Sequence, residues 1–109
     1  MKELPVLITE DADQDLEDIH DYIAKHDGPV RAAHVHDQIE AAVISLSHSP
    51  ERGVIPGELQ AMGTREFREI FFKPYRIFYQ ATEEKVYILL IADGRRDMRT
   101  LLQRRLLEA

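Results

Sequence analysis

The chain has 109 residues, of which 44% are apolar and 31% are charged, and its formal net charge is -6. This length predicts one domain, residues 1–109, whose core removes roughly two thirds of the unfolded surface from water. The lack of cysteine excludes disulfides, thiolate nucleophiles and Cys-based metal centres. A signal-peptide-like leader is absent and no apolar run approaches about 18 residues, so we expect a cytoplasmic protein with no membrane partner.

The charge is distributed unevenly along the chain. Residues 1–60 hold 4 Lys/Arg and 13 Asp/Glu, a net charge of -9, whereas residues 61–109 hold 10 and 7, a net charge of +3. Binding to phosphate or to another anion requires clustered Lys and Arg. Only the second half of the chain is therefore expected to present an anion-binding surface.

The first half predicts a strand followed by a helical hairpin. Residues 4–9 are apolar and partly β-branched, and Thr9 precedes acids that suit the first turn of a helix. Gly28 and Pro29 are placed to end one helix and begin the next. Two stripes at helical spacing support this interpretation, the first at Ala12, Leu16, Ile19 and Ile23 and the second at Ala32, Val35, Ile39, Ala42, Val43 and Leu46.

The second half predicts three consecutive antiparallel strands and a terminal helix. After a Gly/Pro loop at residues 54–63, aromatic and β-branched residues fill the segments 65–72, 75–82 and 85–92. The third segment is apolar at nearly every position, which is typical of a central strand covered on both faces. With the hairpin, this order predicts an α+β fold in which an N-terminal strand and a helical hairpin accompany an antiparallel sheet.

The terminal helix is predicted to be basic, with five arginines between Arg95 and Arg105. Asp93 is a candidate N-cap, which would place Arg95 and Arg96 in the first turn, where a cation is disfavoured by about 0.3–1 kcal/mol. A charged outer helix face is one explanation of these arginines, and contact with an acidic partner is the other. The apolar face of the terminal helix is formed by Met98, Leu101, Leu102 and Leu106.

Other side chains offer little chemistry. The five histidines all lie in or beside the helical hairpin, and none forms an i, i+4 pair suited to a metal. The acids between Glu10 and Asp21 lack the pattern of a calcium loop and are expected to form a solvated helix face. The strand aromatics suit a core better than a base-stacking surface. We therefore predict no catalytic residues, no metal site and no cofactor.

In order and spacing, the chain resembles toxins of the ParE/RelE superfamily from bacterial toxin–antitoxin, or plasmid stabilisation, modules. The resemblance begins with "TEDADQDLEDIHDYI", continues through Pro50 and Gly53, and includes "GTREF", "YRIFY" and "VYILLIADGRRD". It implies the fold predicted above and two possible activities. ParE-type toxins poison DNA gyrase by binding, whereas RelE-type toxins cleave mRNA on the ribosome.

The long helical hairpin favours the ParE type. Asp93 favours it as well, since many superfamily members carry a His near the end of the last strand, whereas a carboxylate at that position would repel a phosphate. The ribonuclease alternative stays open, since Arg68, Lys73, Tyr75, Arg76 and Arg95 could form a basic cleavage site. The resemblance implies a ParD-like antitoxin as partner, in a hetero-oligomer, and DNA gyrase as target. We predict that the target contacts Arg95, Arg96, Arg99, Arg104 and Arg105, and that the antitoxin contacts Arg65, Arg68, Phe72, Tyr75 and Arg76.

Overall fold

A computed structural model describes residues 3–108 and confirms the α+β class. The last helix is followed directly by a π-helical turn, Gln103–Leu107. The elements in chain order are β1 (Val6–Ile8), α1 (Glu10–Asp27), α2 (Pro29–Ser45), α3 (Gly57–Ala61), β2 (Arg68–Phe72), β3 (Tyr75–Ala81), β4 (Val86–Asp93) and α4 (Met98–Leu102).

The helical hairpin forms where the sequence predicts it, because its caps are local. The Thr9 hydroxyl accepts a hydrogen bond from the Ala12 N–H at 3.3 Å and so satisfies a free donor at the start of α1. Gly28 separates the helices with φ of 94°, a conformation that residues with a side chain rarely adopt. Pro29 begins α2, where its missing N–H has no helical acceptor to lose.

The four strands form one sheet in the order β1-β4-β3-β2. The pairs β2–β3 and β3–β4 are antiparallel, as predicted. The pair β1–β4 is parallel, so the sheet is mixed and not purely antiparallel. Parallel neighbours need a long crossover connection, which the helical hairpin and the meander together provide. β4 is therefore a central strand, which confirms its prediction from an unbroken apolar run.

Each face of the sheet has its own core. On one face, α1 and α2 cover the sheet through residues that include Leu16, Ile39 and Ile77. On the other face, α3 and α4 cover Phe78 and Leu90. Since β4 contributes buried side chains to both clusters, it is covered on both faces.

The structure differs from the sequence prediction at two places. The Gly/Pro loop contains a short helix, α3, that was not predicted. The prediction that Asp93 is the N-cap of the terminal helix is wrong, because Asp93 ends β4 and α4 begins at Met98. The N-cap is Asp97, whose carboxylate accepts a hydrogen bond from the Thr100 N–H at 3.3 Å. Arg95 and Arg96 therefore precede the helix instead of lying in its first turn.

Candidate functional site

The main concavity of interest is a groove of about 590 Å³ between α1 and the end of the sheet. It exists because β1 pairs with β4 at residues 86–88, so that among residues 3–108 the second half of β4 has no strand on that side. The α1 wall consists of Asp15, Asp18, Ile19, Tyr22, Ile23 and Asp27. The opposite wall consists of Tyr75, Ile91, Ala92, Asp93, Arg95 and Arg96. We call this the α1–β4 groove.

The α1–β4 groove combines an apolar interior with an exposed aromatic side chain. Isoleucines from both walls and Ala92 supply the apolar surface. Tyr22 is 64% exposed, and its ring stacks on the ring of His26 with 4.1 Å between the centroids. A large, exposed and pre-oriented aromatic residue is typical of a protein-binding surface.

At one end of the groove, Arg95 is paired with Asp93. The Arg95 Nε and Nη2 atoms donate to the Asp93 carboxylate at 3.0 and 2.6 Å, and the Arg95 backbone N–H donates at 2.9 Å. The Arg95 side chain donation is the main reason that the pKa of Asp93 lies below its usual value. Beside this pair, burial and then the negative charge of Asp93 raise the pKa of Tyr75. Arg95 itself is 82% exposed and remains accessible to a partner.

At the other end, Arg105 is paired with Asp15. Its Nη1 and Nη2 atoms donate to the two Asp15 oxygens, both at 3.0 Å, and Nη2 also donates to the Leu89 carbonyl at 3.0 Å. The hydrogen bonds to Asp15 raise the pKa of Arg105. Because its side chain is only 18% exposed, Arg105 is turned inward, unlike the other arginines of its segment.

The five arginines predicted to contact the target therefore have different surroundings. Arg95 and Arg96 line the groove, whereas Arg99 and Arg104 are exposed outside it. Arg105 lies mostly beneath the surface. The structure leaves untested whether any of them binds a target.

The residues predicted to contact the antitoxin are also dispersed. Tyr75 alone of the five lines the groove, Arg65 is exposed elsewhere, and Phe72 packs against the core under the helical hairpin. Arg68 donates to the Gly53 carbonyl at 2.8 Å. Arg76 is held on the opposite face of the sheet, as described next.

Arg76 binds two carboxylates at once. Its Nη1 and Nη2 atoms each donate to Glu58 at 2.8 Å, and its Nε and Nη2 atoms donate to Glu69 at 2.7 and 3.0 Å. These bonds, those to Glu58 first, raise the pKa of Arg76, and the bond from Arg76 lowers the pKa of Glu58. The Arg76 guanidinium also lies 5.0 Å from the centroid of the Phe78 ring. This arrangement fastens α3 to the sheet.

The sequence prediction missed the contribution of α1 to the groove. The acids of α1 were interpreted as a solvated face, which does not describe Asp15, since it is only 15% exposed and holds Arg105. The one signal available was Tyr22, an aromatic residue on the polar side of an amphipathic helix. Tyr22 does not follow the stripe Ala12, Leu16, Ile19 and Ile23.

Two kinds of feature are absent among residues 3–108, a cluster of metal-ligating side chains and a helix that could span a membrane. No three His, Asp or Glu side chains in that range lie where they could share a metal ion. None of the helices described there combines the length and the apolar character that spanning a membrane requires.

The fold is one that a solved structure of a toxin–antitoxin system also contains. It is similar to a solved structure described as the chromosomal ParDE TA system from P. aeruginosa, with a TM-score of 0.72 and 19% sequence identity. The similarity covers 84% of this chain and 96% of that chain. No curated protein sequence matches. The model of the family described as the ParE toxin of the type II toxin–antitoxin system, parDE, matches residues 6–98. The chain therefore belongs to the ParE toxin family.

Proposed function

We propose that this toxin poisons DNA gyrase by binding to it, and that a cognate ParD-like antitoxin neutralises it in a hetero-oligomeric complex in the cytoplasm. The observation that carries the proposal is the division of the arginines between internal and exposed positions. Arg76 and Arg105 are each occupied by carboxylates of the same chain. Arg96, Arg99 and Arg104 are exposed and contribute cationic surface for a protein partner.

The same division argues against the ribonuclease alternative. Cleavage of an RNA backbone needs cations that are free to stabilise charge on the phosphate. Arg76, the cation best placed on the sheet, is compensated by Glu58 and Glu69. At the end of β4, Arg95 is likewise paired with a carboxylate, that of Asp93. The sheet therefore carries no surplus positive charge at these positions.

We assign the α1–β4 groove to the antitoxin. Its isoleucines and Tyr22 provide apolar contact area, and Arg95 and Arg96 at its margin can bind carboxylates of the bound segment. Arg99 and Arg104 lie outside the groove and are left for the target. Arg105 has no direct role in this assignment, because Asp15 occupies its guanidinium and its side chain is 18% exposed, whereas Arg95, although paired with Asp93, is 82% exposed.

A pair of assays with the purified chain tests the function. We expect it to inhibit supercoiling by gyrase, and we expect the co-purified antitoxin to restore supercoiling. Ribosomes programmed with mRNA should yield intact message in the presence of the chain. Cleavage of that message with unaffected gyrase would show that the ribonuclease alternative is correct.

Variants at the exposed arginines test the assignment of surfaces. Replacing Arg99 and Arg104 with Gln should weaken gyrase inhibition and leave the affinity for the antitoxin unchanged. Replacing Arg95 and Arg96 with Gln should do the reverse. Equal effects of both double variants on both partners would contradict the division of the surfaces.

A further inference from the structure

The open half of the β4 edge is completed by two side chains instead of a strand. Beyond residue 88, no strand of the described chain pairs with β4 on the β1 side, which would leave its backbone groups there unpaired. The Ile91 N–H donates to Asp15 at 3.0 Å, and the Leu89 carbonyl accepts from Arg105 at 3.0 Å. Asp15 and Arg105 thus supply one acceptor and one donor, as the backbone of a neighbouring strand residue would.

These two side chains also connect distant parts of the chain. Asp15 lies on α1 and Arg105 lies in the π-helical turn, ninety positions later. No residue of that turn is fully buried, and Leu106 packs only partly against the core. Arg105 attaches segment 103–107 to the domain through the bidentate contact with Asp15, the bond to the Leu89 carbonyl and a longer approach to Asp11 at 3.9 Å, and the contact with Asp15 is the charge-paired one at hydrogen-bond distance. Bidentate, charge-assisted contacts fix orientation as well as distance.

We propose that Asp15 is a positioning residue for target binding. Acting through Arg105, it holds segment 103–107 against the sheet and so fixes the direction in which Arg104 points. This inference rests on the proposed function, since it takes Arg104 as part of the target-binding surface. Because Asp15 also lines the α1–β4 groove, a residue of the proposed antitoxin site would then set the orientation of part of the target-binding surface.

The test compares Asp15→Asn with Glu17→Gln. The first variant keeps an acceptor for the Ile91 N–H but removes the carboxylate that pairs with Arg105 at 3.0 Å, and leaves the longer approach of the Arg105 Nε atom to Asp11 at 3.9 Å. The second removes an exposed acid of the same helix that lies outside the groove. We expect amide exchange in segment 103–107 to rise at least about tenfold in Asp15→Asn, consistent with loss of a charge-assisted contact, and to stay unchanged in Glu17→Gln.

Gyrase inhibition provides the second measurement. The concentration for half-inhibition should rise at least about tenfold in Asp15→Asn and in Arg105→Gln. The Asp15→Asn/Arg105→Gln double variant should be no weaker than the weaker single variant, because both changes remove the same contact. Glu17→Gln should inhibit like the parent chain.

Three results would overturn the inference. Unchanged exchange in Asp15→Asn would show that the pair does not hold the segment. Raised exchange with unchanged inhibition would show that holding it does not matter for the target, and additive effects of the two changes would show that Asp15 acts independently of Arg105. If Asp15→Asn does not fold, Arg105→Gln carries the same measurements. Failure of the parent chain to inhibit gyrase would instead contradict the proposed function, and the exchange measurement would still test the attachment.

Discussion

Arg76 offers the sharpest test of whether an arginine on the sheet serves the fold or a partner. Its side chain is 15% exposed, and it neutralises Glu69, whose side chain is 5% exposed, and Glu58, at 31%. In Arg76→Gln, the Glu69 carboxylate would stay in its buried position without a cation. Removing one member of a buried ion pair costs about 3–5 kcal/mol, and we expect about 3 kcal/mol here because Glu58 can regain water.

Urea unfolding followed by circular dichroism measures this cost. For a domain of this size, a loss of about 3 kcal/mol should lower the midpoint by about 1–3 M urea. A second variant, Arg76→Met combined with Glu69→Leu, removes both charges and should recover much of the stability, since apolar side chains of similar volume can replace a buried pair. Under conditions where Arg76→Gln is folded, its affinity for the antitoxin should equal that of the parent.

Two outcomes would refute this reasoning. An unchanged urea midpoint in Arg76→Gln would mean that the ion pairs do not stabilise the fold. A normal midpoint with a large loss of antitoxin binding would instead support the sequence prediction that Arg76 is a partner contact.

Three further predictions concern stability and binding. The pKa of Glu58 is lowered from its usual 4.5, so its contribution to stability is fully present above about pH 4.5 and is lost as the pH falls through its pKa in the folded state. The melting temperature of Glu58→Gln should therefore fall less steeply with decreasing pH than that of the parent, and equal slopes would contradict this. Tyr79→Phe should cost about 1–3 kcal/mol in urea unfolding, because the buried hydroxyl accepts from the Gly53 N–H at 3.0 Å; an unchanged midpoint would contradict this. The Arg95→Gln/Arg96→Gln double variant should melt like the parent but bind the antitoxin at least about tenfold more weakly at low salt, with a smaller difference at high salt. Calorimetric titration curves equal to those of the parent would show that these arginines have no role in that complex.

The helical hairpin and the strands could be predicted because their signals are local. Thr9, Gly28 and Pro29 act within one turn of their own positions, and the apolar stripe of α1 follows from its own periodicity. The unbroken apolar run of β4 likewise indicated a central strand. These patterns, in their order along the chain, also sufficed for the resemblance to ParE toxins, which the family match confirms.

The surroundings of the arginines depended on tertiary structure. In sequence, one basic cluster is formed by Arg95, Arg96, Arg99, Arg104 and Arg105. Arg105 falls close to the apolar stripe of the predicted helix, but nothing local indicates which acid it meets. Arg105 differs because the fold brings α1 and the last turn together at the open edge of β4, where Asp15 meets it from ninety positions away. Charge pairing across such distances is set by how the elements pack, and the sequence alone determines only which charges are available for it.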